Sequence, residues 1–232
     1  MYWYWTPWDI LLIPGLLLGI YAQIKLTAAY NKYLQVGARS GLSGAEAARE
    51  ILDRNGLTNM PVEEIPGRLT DHFDPIKKAL FLSSENFHGR SLSAVGVAAH
   101  ESGHALQQKA GYALFNFRML IAPATQFASY AWMGIFVLGM ILGGAFFRPM
   151  IHIAIGIFAV ITLFQVVTLP VEYDASSRAK KQLVALGLVQ PDEAPAISKV
   201  LDAAAMTYVA AMLGAVLQLL RLIMIANGDR RR

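Results

Sequence analysis

At 232 residues, with 55% of them hydrophobic and 16% charged, the chain is too apolar for an ordinary soluble domain, in which about a quarter of the residues carry charge. Abundant apolar surface excludes a disordered chain, and a sequence without cysteine excludes disulfide frameworks, thiolate metal sites and cysteine nucleophiles, so any metal must rest on His, Asp or Glu. The formal net charge of +4 is mild and scattered, which makes nucleic acid an unexpected partner and leaves the lipid bilayer as the expected surroundings.

The first uncharged window, Ile10 to Ile24, is short for a span but follows Tyr2, Trp3, Tyr4, Trp5 and Trp8, a composition suited to a membrane interface. Residues 8–24 are read as an uncleaved transmembrane helix. A signal peptide would begin with basic residues and end in a small-residue cleavage site, whereas here the first cation is Lys25.

A polar stretch, 25–118, follows. Within it Ala45, Ala48, Ile51 and Leu52 recur at helical spacing between a capping Ser43 and a terminating Gly56. Two short apolar segments, Val62 to Leu69 and Ala79 to Leu82, flank a turn at Asp74-Pro75 and are read as a β-hairpin. From Ser91 to Ala110 the chain is alanine-rich and free of proline, which predicts a nearly buried helix that stops at Gly111.

Two long uncharged windows come next, 119–147 and 149–171, separated by Arg148 and read as a helical hairpin with that arginine at its tip. A second polar segment, 172–202, leads to a last window at 203–226, where Arg221 lies near enough to the end to snorkel. The expected fold is therefore a mainly α-helical polytopic membrane protein, with about four transmembrane helices and a small α+β domain.

Crossing parity puts both polar segments on one side of the membrane. Lys25, Lys32, Arg39, Lys109, Arg118, Arg178, Lys180, Lys181 and Lys199 lie near span ends on that side, against Arg148 and Arg230, Arg231 and Arg232 on the other, which places the polar segments in the cytosol. No feature of the sequence sets an oligomeric state.

The chemistry lies in the alanine-rich helix. His100-Glu101-Ser102-Gly103-His104 is an H-E-x-x-H pattern, and residues four apart share a helix face, so two imidazoles can grip one zinc ion while Glu101 reaches a water bound to it. A buried structural pair of histidines would leave Glu101 as an uncompensated charge in an apolar helix. Catalytic zinc usually takes three protein ligands. His152 sits at the far end of the membrane hairpin, whereas Glu172 and Asp174, just beyond Pro170, lie on the correct side at the membrane surface. His72 and Arg178 are the candidate donors for a developing oxyanion. A strand edge in the TDHFDP region could take an extended peptide.

The stretches TDHFDP, RSLSAVGVAAHESGHALQ and LPVEYDAS resemble the YugP-like neutral zinc metallopeptidases, bacterial membrane proteases, over most of the chain. They are also similar to the wider group of membrane gluzincins containing the heat-shock protease HtpX and the CAAX prenyl proteases. The resemblance implies Glu101 as general base, and Zn2+ held by His100, His104 and Glu172. It also implies a peptide or protein substrate and a multi-pass protein of the cell membrane, the bacterial inner membrane. Those wider relatives carry an aspartate four residues after the glutamate; here that position is Ser176 and the nearest acid is Asp174. A zinc hydrolase acting on a non-peptide amide or ester would use the same site. A transport function has little to work with, because His152 and Arg221 are nearly the only ionisable residues in the windows.

Overall fold

The computed structural model describes residues 6–142 and 147–229. Tyr2, Trp3, Tyr4 and Trp5, the tip at 143–146, and Arg230, Arg231 and Arg232 lie outside the described residues, as does the side chain of Arg148. The chain divides into two compact units, and the long helices contribute residues to both.

The first unit takes the chain up to Tyr21, Phe117–Leu169 and the residues from Thr207 onward. A 3-10 turn, Pro7–Leu12, opens on a Thr6 cap and leads into α1, Ile13–Leu34; the other long helices are α5 (Ala113–Leu142), α6 (Phe147–Ala185) and α7 (Ala194–Asp229). Three stretches, Pro7–Leu34, Met150–Ala185 and Ala194–Gly228, are long and apolar enough to cross a membrane. Arg221 pairs with Asp9, which satisfies both charges, and Gly15 backs onto Gly214 so closely that a Cβ on Gly15 would stand 3.2 Å from the Gly214 Cα. Pro170 does not end α6. It removes one backbone donor, which a long apolar helix tolerates, and the helix continues through Glu172 to Ala185.

The second unit comprises Ala22–Asn116 and Pro170–Met206. Helix α2, Gly44–Arg54, starts in a capping box: the Ser43 hydroxyl accepts the Glu46 N–H at 3.2 Å and the Glu46 carboxylate accepts the Ser43 N–H at 2.7 Å. Its buried face is Ala47, Ala48, Ile51 and Leu52; Ala45, expected on that face, is only half-buried. That face packs on α4, Leu92–Lys109, whose start is capped by Ser91. Leu183 from α6 and Ile197 and Val200 from α7 complete a core with Tyr30, Ile51, Leu92, Val95 and Leu106. Side chains of this size each contribute about 1.5–3 kcal/mol when fully buried.

The sheet corrects the hairpin expectation. Strands β1 (Val62–Ile65), β2 (His72–Asp74) and β3 (Ala79–Ser83) lie in the order β1-β3-β2, with β1 parallel to β3 and β2 antiparallel to it. The hairpin therefore joins β2 to β3, not the Val62 segment to β3. The Asp74 carboxylate accepts the N–H groups of Ile76 and Lys77, at 2.8 and 2.9 Å, and Lys78 takes φ 52°, which closes a tight turn directly after β2. Every residue of β3 is buried, so the central strand needs a neighbour on each side, and β1 supplies the second. The short helix α3, Ser84–His88, links the sheet to α4.

Candidate metal centre

Helix α4 can be buried almost all round because it is built from small residues. At Gly103 an added Cβ would lie 2.4 Å from the Ala175 carbonyl oxygen, so α4 and α6 touch backbone to backbone beside the H-E-x-x-H segment. That approach brings Glu172 on α6 against two histidines one turn apart on α4. Glu172 Oε2 lies 3.2 Å from His100 Nε2 and 3.5 Å from His104 Nε2, and the ligating atoms of the three residues all fall within 4.8 Å of one another. Glu172 is 1% exposed.

Both histidines are held from behind. His100 Nδ1 meets the Ser176 hydroxyl at 3.1 Å, and His104 Nδ1 meets Gln107 Oε1 at 2.9 Å. Ser176, four residues after Glu172, is therefore the residue on α6 that meets the far side of His100. Asp174 reaches His104 through Gln107, whose Nε2 donates to it at 2.8 Å.

Glu101 is buried on the same helix, and its carboxylate accepts the Phe73 N–H at 3.0 Å. Since Phe73 belongs to the edge strand β2, the outer edge of that strand is turned toward Glu101. Burial pushes the Glu101 carboxyl up to about 7; the His100 ring opposes this, the Glu172 and Asp71 carboxylates add to it, and the Phe73 N–H opposes it. An aromatic row of Phe73, Phe115 and His104, with neighbouring centroids 6.4 and 6.2 Å apart, flanks the group.

The other two sequence candidates are placed differently. His72 pairs with Phe81 across the sheet, stacks on its ring at 5.0 Å and turns Nδ1 to the Thr70 carbonyl; alternation along β2 puts it on the sheet face opposite Phe73. Arg178 donates to Asp174 at 2.6 Å and lies over the Tyr112 ring. Gln107 was missed in the sequence, although its position three residues after His104 puts it on the same helix face.

The donor set suits zinc. Two imidazole Nε2 atoms and a buried carboxylate converge, and nitrogen with carboxylate oxygen is a set that zinc accepts.

Residues 8–227 match the family described as "Putative neutral zinc metallopeptidase". The chain is 46% identical over 220 residues to a Bacillus subtilis (strain 168) protein named "Putative membrane protease YugP", covering 95% of this chain and 96% of that one. No solved structure matches it.

Proposed function

The chain belongs to the neutral zinc metallopeptidase family, and we propose that it is an integral-membrane endopeptidase in which His100, His104 and Glu172 hold zinc and Glu101 is the general base. The observation that carries this reading is the convergence of the three donors, with the buried Glu101 carboxyl beside them on the same helix. Bound zinc supplies a Lewis acid for the scissile carbonyl and lowers the pKa of a water toward about 7. Glu101 takes a proton from the attacking water at its carboxylate as the oxygen bonds to the carbonyl carbon. It then passes that proton to the leaving nitrogen as the C–N bond breaks. A carboxyl titrating near neutrality can do both. The outer edge of β2 lies beside Glu101, to which it already gives the Phe73 N–H, so an extended peptide running along that edge would bring a backbone carbonyl toward the metal centre, which favours a peptide substrate over a lipid amide or ester.

Metal removal tests the reading. The purified protein should cleave an unstructured protein such as casein, lose that activity on chelation and regain it with added zinc. Cleavage that survives complete zinc removal would defeat the proposal. Chelator-sensitive hydrolysis confined to lipid amides or esters would replace the peptide substrate with the alternative.

For orientation, we place four spans in the membrane, with α5 joining the three long apolar stretches, and the metal centre on the cytosolic side of a bacterial inner membrane. Both termini then face the opposite compartment, and a reporter that works only in the cytosol, fused after Arg232, should be silent. An active reporter would reverse the orientation or remove a span.

A further inference from the structure

Gln107 is fully buried on α4, one turn beyond His104, and every polar atom of its side-chain amide has a partner. Its Nε2 lies 2.7 Å from the Val171 carbonyl oxygen and 2.8 Å from Asp174 Oδ2. A carbonyl and a carboxylate can only accept, so these contacts consume both amide hydrogens and fix which end of the amide is oxygen. The remaining atom, Oε1, faces His104 Nδ1 at 2.9 Å. An amide oxygen cannot donate, so the proton of that hydrogen bond must sit on His104 Nδ1. When the ring is neutral, the other ring nitrogen, Nε2, which faces Glu172, therefore carries the lone pair.

His100 is held differently. Its Nδ1 partner is the Ser176 hydroxyl, which can donate or accept and so imposes no tautomer. An unconstrained neutral imidazole prefers its proton on Nε2, the atom that would have to bind metal.

We propose that Gln107 is a positioning residue that locks His104 in its Nδ1–H form, and that Asp174 serves the metal centre by anchoring Gln107. Asp174 is itself held by Arg178, whose Nε donates to the same carboxylate oxygen at 2.6 Å, so the chain Arg178, Asp174, Gln107, His104 runs from a part-buried ion pair to a metal-facing nitrogen. The acid of this site thus reaches its histidine through a buried amide. The inference rests on the zinc reading above for its benefit to the protein, but the tautomer is a property of the chain alone.

The test uses the full-length protein in lipid nanodiscs. Imidazole nitrogen NMR of the zinc-free protein, at a pH where the rings are neutral, should show His104 as the Nδ1–H form, and Gln107→Met should shift it toward Nε2–H. By competition with a chelator, zinc binding should weaken about 10- to 100-fold in Gln107→Met, the range expected for loss of an outer partner of a metal-binding histidine. Asp174→Leu should also weaken zinc, Asp174→Asn should restore it by keeping an acceptor for Gln107, and Asp174→Leu should add nothing in the Gln107→Met background. An unchanged His104 tautomer or undiminished zinc affinity in Gln107→Met overturns the proposal, as does an Asp174→Leu effect that persists when Gln107 is gone. If Gln107→Met does not fold, the Asp174→Leu and Asp174→Asn pair decides by the same two measurements. If the wild-type chain binds no zinc, the zinc reading fails, while the tautomer measurement still decides this one.

Discussion

Glu101→Gln should abolish peptide hydrolysis while the protein stays folded and keeps its zinc. Glutamine preserves the volume of glutamate, and its amide oxygen can still accept the Phe73 N–H that orients the native carboxylate. It cannot take a proton from water at neutral pH. General-base catalysis is worth about 10²- to 10⁴-fold, so kcat should fall by at least about two orders of magnitude. Folding should not suffer, because burial already disfavours the charged form of Glu101 and a neutral amide lacks that cost. Zinc should remain because Glu101 does not belong to the cluster of converging donors. The assay is turnover of an unstructured protein, measured beside zinc content and thermal midpoint. A variant that folds, holds zinc and cleaves at the wild-type rate would require a different base.

Gly103→Ala should be among the most damaging single-methyl changes in the chain. Alanine is worth up to about 1 kcal/mol over glycine in a helix interior, so propensity alone favours the substitution. Here the new methyl would meet the Ala175 carbonyl oxygen at 2.4 Å, with the Ala175 Cα at 3.2 Å, and none of those atoms is a side chain that can swing away. Overpacking typically costs about 1–3 kcal/mol and more where backbone must move, so the clash outweighs the propensity gain. Parting α4 from α6 also parts His100 and His104 from Glu172, so zinc affinity should fall together with the thermal midpoint. Gly19→Ala in α1 is the control, since nothing lies within 4 Å of the added methyl. A Gly103→Ala protein as stable and as rich in zinc as the control would show that the helices do not approach in this way.

What could be read from the sequence followed the range of the interactions. His100, Glu101 and His104 are legible because their spacing is a property of one helix, as are the Ser43 and Ser91 caps and the long apolar helices. Glu172 comes from the resemblance to known metallopeptidases; residue chemistry alone left it level with Asp174. The parallel placement of β1 was not legible, because adjacent apolar segments suggest a hairpin until it is known that β3 is buried on both faces and needs two neighbours. The uncharged window closes at 171, yet α6 runs on through Pro170 to Ala185, since the end of an apolar run is not itself a helix stop. The roles of Gln107 and Ser176 depend on contacts between α4 and α6, and no spacing within one helix encodes them.

The most direct test of the metal centre is zinc content per chain in the purified wild-type protein and in Glu172→Ala, measured after dialysis against a weak chelator. The expected result is one zinc per wild-type chain and a large loss in Glu172→Ala, because two histidines alone leave the ion a ligand short. Full zinc occupancy in Glu172→Ala would contradict the assignment of His100, His104 and Glu172 as the ligand set.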